Sequence, residues 1–450
     1  TKSKIYKSSS VKDKMKRTKI KDLKEKIGKK VLINGFIHEI RDQSKVKFLL
    51  IRDNSGIIQT VATPDKKNIF DKIGKLPRES VIAIEGLVKE EKQAPLGIEI
   101  KIEDYHVLSE ADSSLPIQVA EKNKDGASLP VRLNWRWIDL RKPKNLLIFK
   151  IWTFMEKAMR EFWDKNEFIQ IHTPKFMGAP SESGAELFSV DYFGKKAFLA
   201  QSPQFYKQMA MAAGFEKIFE IGPVFRANKS HTVRHDTEFT MIDMEISYID
   251  SHEEVMQLEE QWINYFIGRI KEVYGKEIKE VFGADIIVPK IPFPRITMAE
   301  AQKLIRKLGY KCQNDDFDAE GEKLLCQSMM KQFGHEFVFV TEYPISARPF
   351  YHMRFSERPE ITKSFDLLWK GTEVTTGAQR EHRADILKKQ AIEKKINLDL
   401  IKDYLNFFKY GCPPHGGFAI SPTRFLMLML GIKNVREVTF LPRDTERLNP

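Results

Sequence analysis

Apolar and β-branched residues crowd into five short runs between positions 31 and 107: Val31 to Ile37, Val46 to Arg52, Gly56 to Val61, Ser80 to Val88 and Ile98 to Ile102. Runs of this length bounded by turn-forming residues read as strands, and a helix-like interlude at Asp65 to Ile73 separates the third from the fourth. Five strands and one helix predict a small closed barrel over 30–109. Beyond it the period changes. Leu147, Ile151, Phe154, Met155, Ala158, Met159 and Phe162 recur at helical spacing, which predicts a helix at the start of a second domain, 143–450. Strands and helices follow in mixed order without the glycine fingerprint of a βαβ unit. An antiparallel sheet flanked by helices is therefore expected, and the fold class is α+β. Residues 110–142, with Ser113-Ser-Leu-Pro116 and a charged run up to Pro143, read as a hinge. Residues 291–334 read as a small helical insertion and 385–408 as two charged helices.

Length and composition narrow the class. At 450 residues the chain has material for two or three cores. No apolar run approaches the roughly 20 residues that cross a bilayer, and the lysines near the N-terminus precede no apolar stretch, so a cytoplasmic protein is expected. Cys312, Cys326 and Cys412 stand far apart with no Cys-x-x-Cys pair, which supports neither a disulfide framework nor a zinc site. Lys+Arg number 74 against 62 Asp+Glu, a net charge of +12, and residues 1–29 form a basic extension rich in Lys12, Lys14, Lys16, Arg17, Lys19 and Lys21. Such a segment attracts polyphosphate, and a solvated lysine-rich tail fits it equally well.

The chemistry concentrates at 226–239, Arg-Ala-Asn-Lys-Ser-His-Thr-Val-Arg-His-Asp-Thr-Glu-Phe, between strand-like runs at 217–224 and 240–248. A strand, polar loop and strand can hold guanidinium groups over a phosphate while an aromatic ring stacks on a base. The segment resembles the second motif of class II aminoacyl-tRNA synthetases. Gln201-Ser-Pro-Gln-Phe-Tyr-Lys207 and Glu373-Val-Thr-Thr-Gly-Ala-Gln-Arg380 are similar to the aspartyl enzymes of archaeal and eukaryotic type. The likeness runs from about Lys30 onward and identifies the barrel with an OB-fold. Phe168-Ile-Gln-Ile-His-Thr-Pro174 corresponds to the first motif, whose proline lies at a homodimer interface in that family. Two departures stand out. Ala419-Ile-Ser-Pro-Thr-Arg424 replaces a Gly-x-Gly-x-x-Arg third motif, which predicts altered loop geometry. Asn228 replaces a glutamate and keeps an acceptor oxygen without the charge.

The resemblance implies a division of labour. Arg226 would clamp the α-phosphate of ATP, and Arg424 would hold the bent triphosphate and one face of the adenine. Phe239 would stack on the other face, Asn228 would accept from the adenine amino group, and Arg234 and His235 would meet the outer phosphates. Asp366 and Glu373, seven apart, would bind Mg²⁺ if their strands are adjacent. Lys207 and Arg380 would bind the side-chain carboxylate of aspartate. Gln204, Asp243, Thr376 and Glu182, the last in the loop Ser181-Glu-Ser-Gly184, would complete the amino acid site. In the barrel, Phe48 would stack on the central anticodon base, Gln59 and Glu99 would read base edges and Arg41 the backbone.

These readings imply an aspartate–tRNA ligase that uses ATP and Mg²⁺ as a homodimer and charges tRNA(Asp). His38 and Pro95, smaller or poorer in donors than the tryptophan and lysine of selective archaeal relatives, imply that tRNA(Asn) is charged as well. The rivals are an asparaginyl enzyme, against which Lys207 argues, and a catalytically inactive RNA-binding paralogue.

Overall fold

The computed structural model describes residues 15–120, 126–180, 186–229, 232–312 and 315–449. Its contacts divide the chain into two compact units, one ending at Leu147 and the other running from Ile148 to Asn449. In the first, β1 (Lys30–Gln43), β2 (Val46–Asp53), β3 (Gly56–Ala62), β4 (Val81–Glu90) and β5 (Ile98–Ser109) close a barrel in the order β1-β2-β3-β5-β4. Alternation does the sorting. Ile33, Ile37, Leu49, Ile51, Ile58, Ile84 and Ile100 fill the interior, while the residues between them face outward. Closure brings backbones together so tightly that a Cβ on Gly35 would lie 2.5 Å from the Arg52 carbonyl oxygen. The expected helix forms at Lys67–Ile73, and the hinge residues include two short helices, Leu129–Asn134 and Arg136–Asp139.

The second unit is built on an eight-stranded sheet. Its strands are β6 (Ile169–Gln170), β10 (Lys217–Phe225), β11 (Glu238–Ser247), β12 (Arg295–Thr297), β13 (Phe337–Thr341), β14 (Ser364–Trp369), β15 (Thr372–Arg380) and β16 (His415–Ile420), ordered β12-β13-β14-β15-β16-β11-β10-β6. A separate three-stranded sheet holds β7 (Phe176–Met177), β8 (Ser189–Tyr192) and β9 (Lys195–Leu199). The interior pairings are antiparallel, as expected. Both edges differ from the expectation, because β12 pairs parallel to β13 and β6 parallel to β10. The 291–334 segment is thus more than a helical insertion. It gives the sheet an edge strand before its helices Met298–Lys307 and Ala319–Phe333.

A long helix, His252–Phe282, covers one face of this sheet. A Ser251/Glu254 capping box starts it, and Gly283, at φ +72°, ends it in the left-handed region. Its buried residues Val255, Glu259, Trp262, Phe266 and Ile270 recur every three or four positions. Trp262 packs on Phe418 of β16 with ring centroids 5.5 Å apart, and Phe266 on Phe425 at 5.1 Å. The apolar half of each strand is used here, and the alternate residues face the other way.

Candidate active site

Strand register places the polar residues in one row across that opposite face. Asp366 of β14 pairs with Thr376 of β15, Thr376 with Ala419 of β16, Ala419 with Asp243 of β11, and Asp243 with Glu220 of β10. A register slip between Leu367 and Leu368 pairs Glu373 with Leu368, which keeps Glu373 on the Asp366 face. The seven-residue spacing of the two carboxylates therefore does bring them to one side of adjacent strands. Small residues make the floor accessible. A Cβ on Gly417 would meet the Met244 carbonyl oxygen at 2.1 Å and a Glu245 carboxylate oxygen at 2.4 Å.

Two contiguous cavities open on this floor. One, of about 280 Å³, is lined by Gln204, Lys207, Asp243, Arg348, His352 and Arg380 among others. Lys207, on the helix Gln204–Ala212, is almost wholly buried, donates to Asp243 Oδ1 at 3.0 Å and forms an ion pair with Glu245 Oε2 at 3.2 Å. Arg380 Nε reaches Glu245 Oε1 at 3.0 Å, NH2 donates to the Gly417 carbonyl at 3.0 Å, and NH1 meets His352 Nε2 at 2.9 Å. Both predicted recognition cations thus converge on one internal carboxylate. Burial alone would push the Glu245 carboxyl up, but Arg380 and Lys207 outweigh it and hold it below its ordinary value. Burial holds Asp243 above its ordinary value despite Lys207. His352 is pushed far down by burial and then by Arg380, so its imidazole is neutral and its Nε2 accepts.

The other cavity, of about 110 Å³, is lined by Arg226, Asn228, Arg234, His235, Phe239, Glu373, Thr376 and Arg424 among others. Arg226 and Thr376 belong to both walls. The Arg226 guanidinium lies 5.5 Å from the Phe239 ring centroid and donates through Nε to the Gln201 carbonyl at 3.3 Å. Among the described residues it has no carboxylate partner within ion-pair distance. Arg234 is held by Glu322 of the helix Ala319–Phe333 at 2.9 Å and by the Gly371 carbonyl at 3.3 Å. Burial, with Arg424, Arg234 and Arg226 nearby, lowers His235 to about 4. Arg424 NH1 donates to the Glu373 carbonyl at 3.3 Å and stands 4.0 Å from its carboxylate.

Sequence reading missed the partner of Asp366. Arg348 NH2 binds Asp366 Oδ2 at 2.6 Å, NH1 reaches Thr376 Oγ1 at 3.4 Å, and the guanidinium lies 3.6 Å from the Tyr343 ring centroid. Asp366 Oδ1 is left buried without a hydrogen-bond partner. Burial, followed by the Asp366 charge, pushes Glu373 up to about 7. Glu245 was missed too, although its alternation with Asp243 along an apolar strand was a usable signal. The altered third motif has a simple local form. Ser421 caps the helix Pro422–Met429 by accepting from the Arg424 N–H, and Pro422 occupies the first turn, where its missing N–H costs nothing. Glu182 lies outside the described residues.

The predicted barrel residues also share a row. Glu39 pairs with Leu50, Leu50 with Gln59, and Gln59 with Glu99, whose side chains are joined by a 3.0 Å hydrogen bond. Phe48, two residues before Leu50, lies half-buried on this outer face opposite Arg41, and Arg41 pairs with Glu39. His38 sits in the β1 bulge at one end of the row, with Nδ1 2.6 Å from Arg52 NH1, and exposed Pro95 precedes β5 at the other. Pro174 is exposed between Ile169 and Phe176, which are also exposed, beside the sheet-edge strand β6. No group of three or more metal-ligating side chains occurs among the described residues, and none of their helices is long and apolar enough to cross a membrane.

Known proteins share this arrangement. Residues 128–445 match the tRNA synthetases class II (D, K and N), and residues 31–108 an OB-fold nucleic acid binding domain. The chain is 46% identical to the aspartate–tRNA(Asp) ligase of Pyrococcus abyssi, over 94% of its own length and 97% of the relative. It is 42% identical to the aspartate–tRNA(Asp/Asn) ligase of Methanopyrus kandleri, over 95% and 97%. Among solved structures, asparaginyl-tRNA synthetase from Pyrococcus horikoshii complexed with asparaginyl-adenylate superposes with a TM-score of 0.88 at 32% identity, covering 95% of this chain and 97% of that one. Aspartyl tRNA synthetase from Entamoeba histolytica gives 0.86 at 31%, covering 98% and 94%.

Proposed function

The chain belongs to the class II tRNA synthetases of the D, K and N group, and from that membership we infer that it is an aspartate–tRNA ligase with ATP as co-substrate. One observation carries the choice of amino acid. Lys207 and Arg380, both buried, converge at the wall of one cavity, where a side-chain carboxylate can join Glu245 between them. An asparagine amide would set its NH2 donors against cations that can only donate and offer no acceptor, at a cost of several kcal/mol in a desolvated site. Adenylate formation is attack by the α-carboxylate on the α-phosphate, so alignment and charge stabilisation matter more than proton transfer. Arg226, shared by both cavities, is placed to hold the α-phosphate. Phe239 and Arg424 sandwich the adenine, Asn228 meets its amino group, and His235 faces the outer phosphates, which Arg234 reaches by leaving Glu322. Gln204 and Asp243 meet the α-ammonium, and Thr376 closes the floor.

Asp366 and Glu373 fit a hard divalent cation such as Mg²⁺. Asp366 keeps one unpartnered oxygen while Arg348 fixes the other, and burial followed by the Asp366 charge raises the proton affinity of Glu373. When bound, the ion would neutralise charge on the phosphates. The barrel row from His38 to Glu99 reads the anticodon of tRNA(Asp). Because Arg52 donates to His38 Nδ1, the ring proton sits on Nε2, a donor that suits the O2 acceptor common to cytosine and uracil. We therefore extend the reading to tRNA(Asn), whose anticodon differs at that pyrimidine. The β6 edge with Ile169, Pro174 and Phe176 suits a homodimer interface, and the reading places the protein with the cytoplasmic translation machinery.

Two assays test this. Aspartate-dependent ATP–pyrophosphate exchange should exceed that with asparagine by about a thousandfold or more; equal rates would overturn the pocket assignment. Aminoacylation of tRNA(Asp) and tRNA(Asn) transcripts should agree within about tenfold, and a preference above about a hundredfold, some 2.7 kcal/mol, would restrict the enzyme to tRNA(Asp).

A further inference from the structure

Behind Gln204 lies a chain of buried hydrogen bonds that the chemistry above does not use. Gln204 Nε2 donates to Gln208 Oε1 at 3.0 Å, one turn further along the same helix. The Tyr404 hydroxyl donates to the same oxygen at 2.9 Å, and Gln208 Nε2 lies 3.0 Å from His415 Nε2. His415 Nδ1 is 2.9 Å from the Pro413 carbonyl. A carbonyl can only accept, so Nδ1 carries the imidazole proton and Nε2 is left as an acceptor. Gln208 must then turn its NH2 group to His415 and its oxygen to Gln204 and Tyr404. Every donor meets an acceptor in this orientation alone. The reverse orientation would set two NH2 groups face to face at Gln204 and two acceptors face to face at His415.

We propose that Gln208, fixed by His415 and Tyr404, sets the polarity of the Gln204 amide, so that its carbonyl oxygen rather than its NH2 group meets the α-ammonium of aspartate. The inference rests on the reading of Gln204 as an ammonium contact. With Nε2 committed to Gln208, Oε1 is the end of the Gln204 amide left for the cavity that Gln204 lines. The pieces come from distant parts of the chain. Gln208 belongs to the helix Gln204–Ala212, Tyr404 to the helix Lys402–Phe407 and His415 to β16, so three elements lock one amide. Gln208 is fully buried, His415 likewise, and Tyr404 nearly so, which leaves water no part in choosing the orientation. Burial also holds His415 at about 4, consistent with the neutral tautomer that the Pro413 carbonyl requires. Gln208, Tyr404 and His415 are positioning residues; none touches substrate.

The test is pyrophosphate exchange with full-length wild type, Gln208→Met, Gln208→Glu and Gln204→Ala. Succinate, which keeps both carboxylates of aspartate and lacks the ammonium, serves as a competitive inhibitor. Gln208→Met keeps length but removes the acceptor, and should raise KM for aspartate about tenfold or more, with kcat within about threefold and the Ki of succinate unchanged. In Gln208→Glu one carboxyl oxygen shares a proton with His415 Nε2 while the other accepts from Gln204 and Tyr404, so KM should return to within about threefold of wild type. An unchanged KM in Gln208→Met, or a parallel loss for aspartate and succinate, would overturn the proposal, since plain packing damage would weaken both. Gln204→Ala separates the two layers. If it leaves KM for aspartate unchanged, the ammonium contact itself fails and the proposal with it. If it raises KM while Gln208→Met does not, the locking chain alone is wrong.

Discussion

The barrel row and the sheet cavity are built by opposite means. On the barrel, Phe48, Gln59 and Glu99 stand half-exposed on strands whose other faces form the core, and a single hydrogen bond links the last two. In the cavity, Lys207, Asp243, Glu245 and Arg380 are all at most 4% exposed and bonded to one another before any substrate arrives. A solvated face can lose one contact and leave its neighbours to water. A buried cluster cannot, because removal of one charge leaves its partner uncompensated in a low-dielectric site. On the proposed function, identity of the amino acid would rest on a rigid electrostatic set, and identity of the tRNA on adaptable stacking and edge contacts.

Breaking the cavity should give the largest effect. Lys207→Met leaves Asp243 and Glu245 short of a cation, and aspartate-dependent exchange should fall about a thousandfold or more, in line with roughly 3–5 kcal/mol for a broken buried pair. Exchange near wild type would remove Lys207 from the pocket. The matching change on the barrel should be milder. Phe48→Ala should raise KM for tRNA by roughly 5- to 150-fold, the equivalent of about 1–3 kcal/mol of stacking, as read by aminoacylation at varied tRNA. An effect as large as that of Lys207→Met would erase the contrast. The smallest effect concerns stability. Glu259, wholly buried beneath β15 and hydrogen-bonded by Thr375, is pushed up to about 8 by burial. The fold thus favours its protonated form, and that contribution is full below 4.5 and lost as pH rises through about 8. Glu259→Gln should melt with wild type at pH near 4 and a few degrees above it at pH near 9 in calorimetry. Equal melting temperatures at both values would show that Glu259 does not titrate in this range.

Much of this was legible because the informative residues were local. The β10–loop–β11 hairpin keeps Arg226 through Phe239 within one continuous stretch, and the 201–207 and 373–380 segments each carry their cation at one end. The barrel strands were legible because strict alternation separates core from surface. Arg348 was not, because it lies in an irregular loop and its role exists only through Asp366, eighteen positions on, across a strand pairing. The parallel edges β6 and β12 escaped for another reason. With two and three residues they are too short for any period to register. Ser421-Pro422 looked like a disrupted loop, because a glycine pattern was the reference; a cap and a first-turn proline start a helix equally well.

The interlocked charges around Glu245 also constrain descent. Two cations and two carboxylates balance within one cluster, so a lone neutralising substitution leaves a surplus charge, while a paired loss such as Lys207 with Asp243 restores neutrality. A lineage drifting toward another amino acid would pass through an intermediate less fit than either end. If the pocket assignment holds, such a valley would keep the coding assignment of this enzyme stable over long times, whereas the solvated barrel face would change more freely.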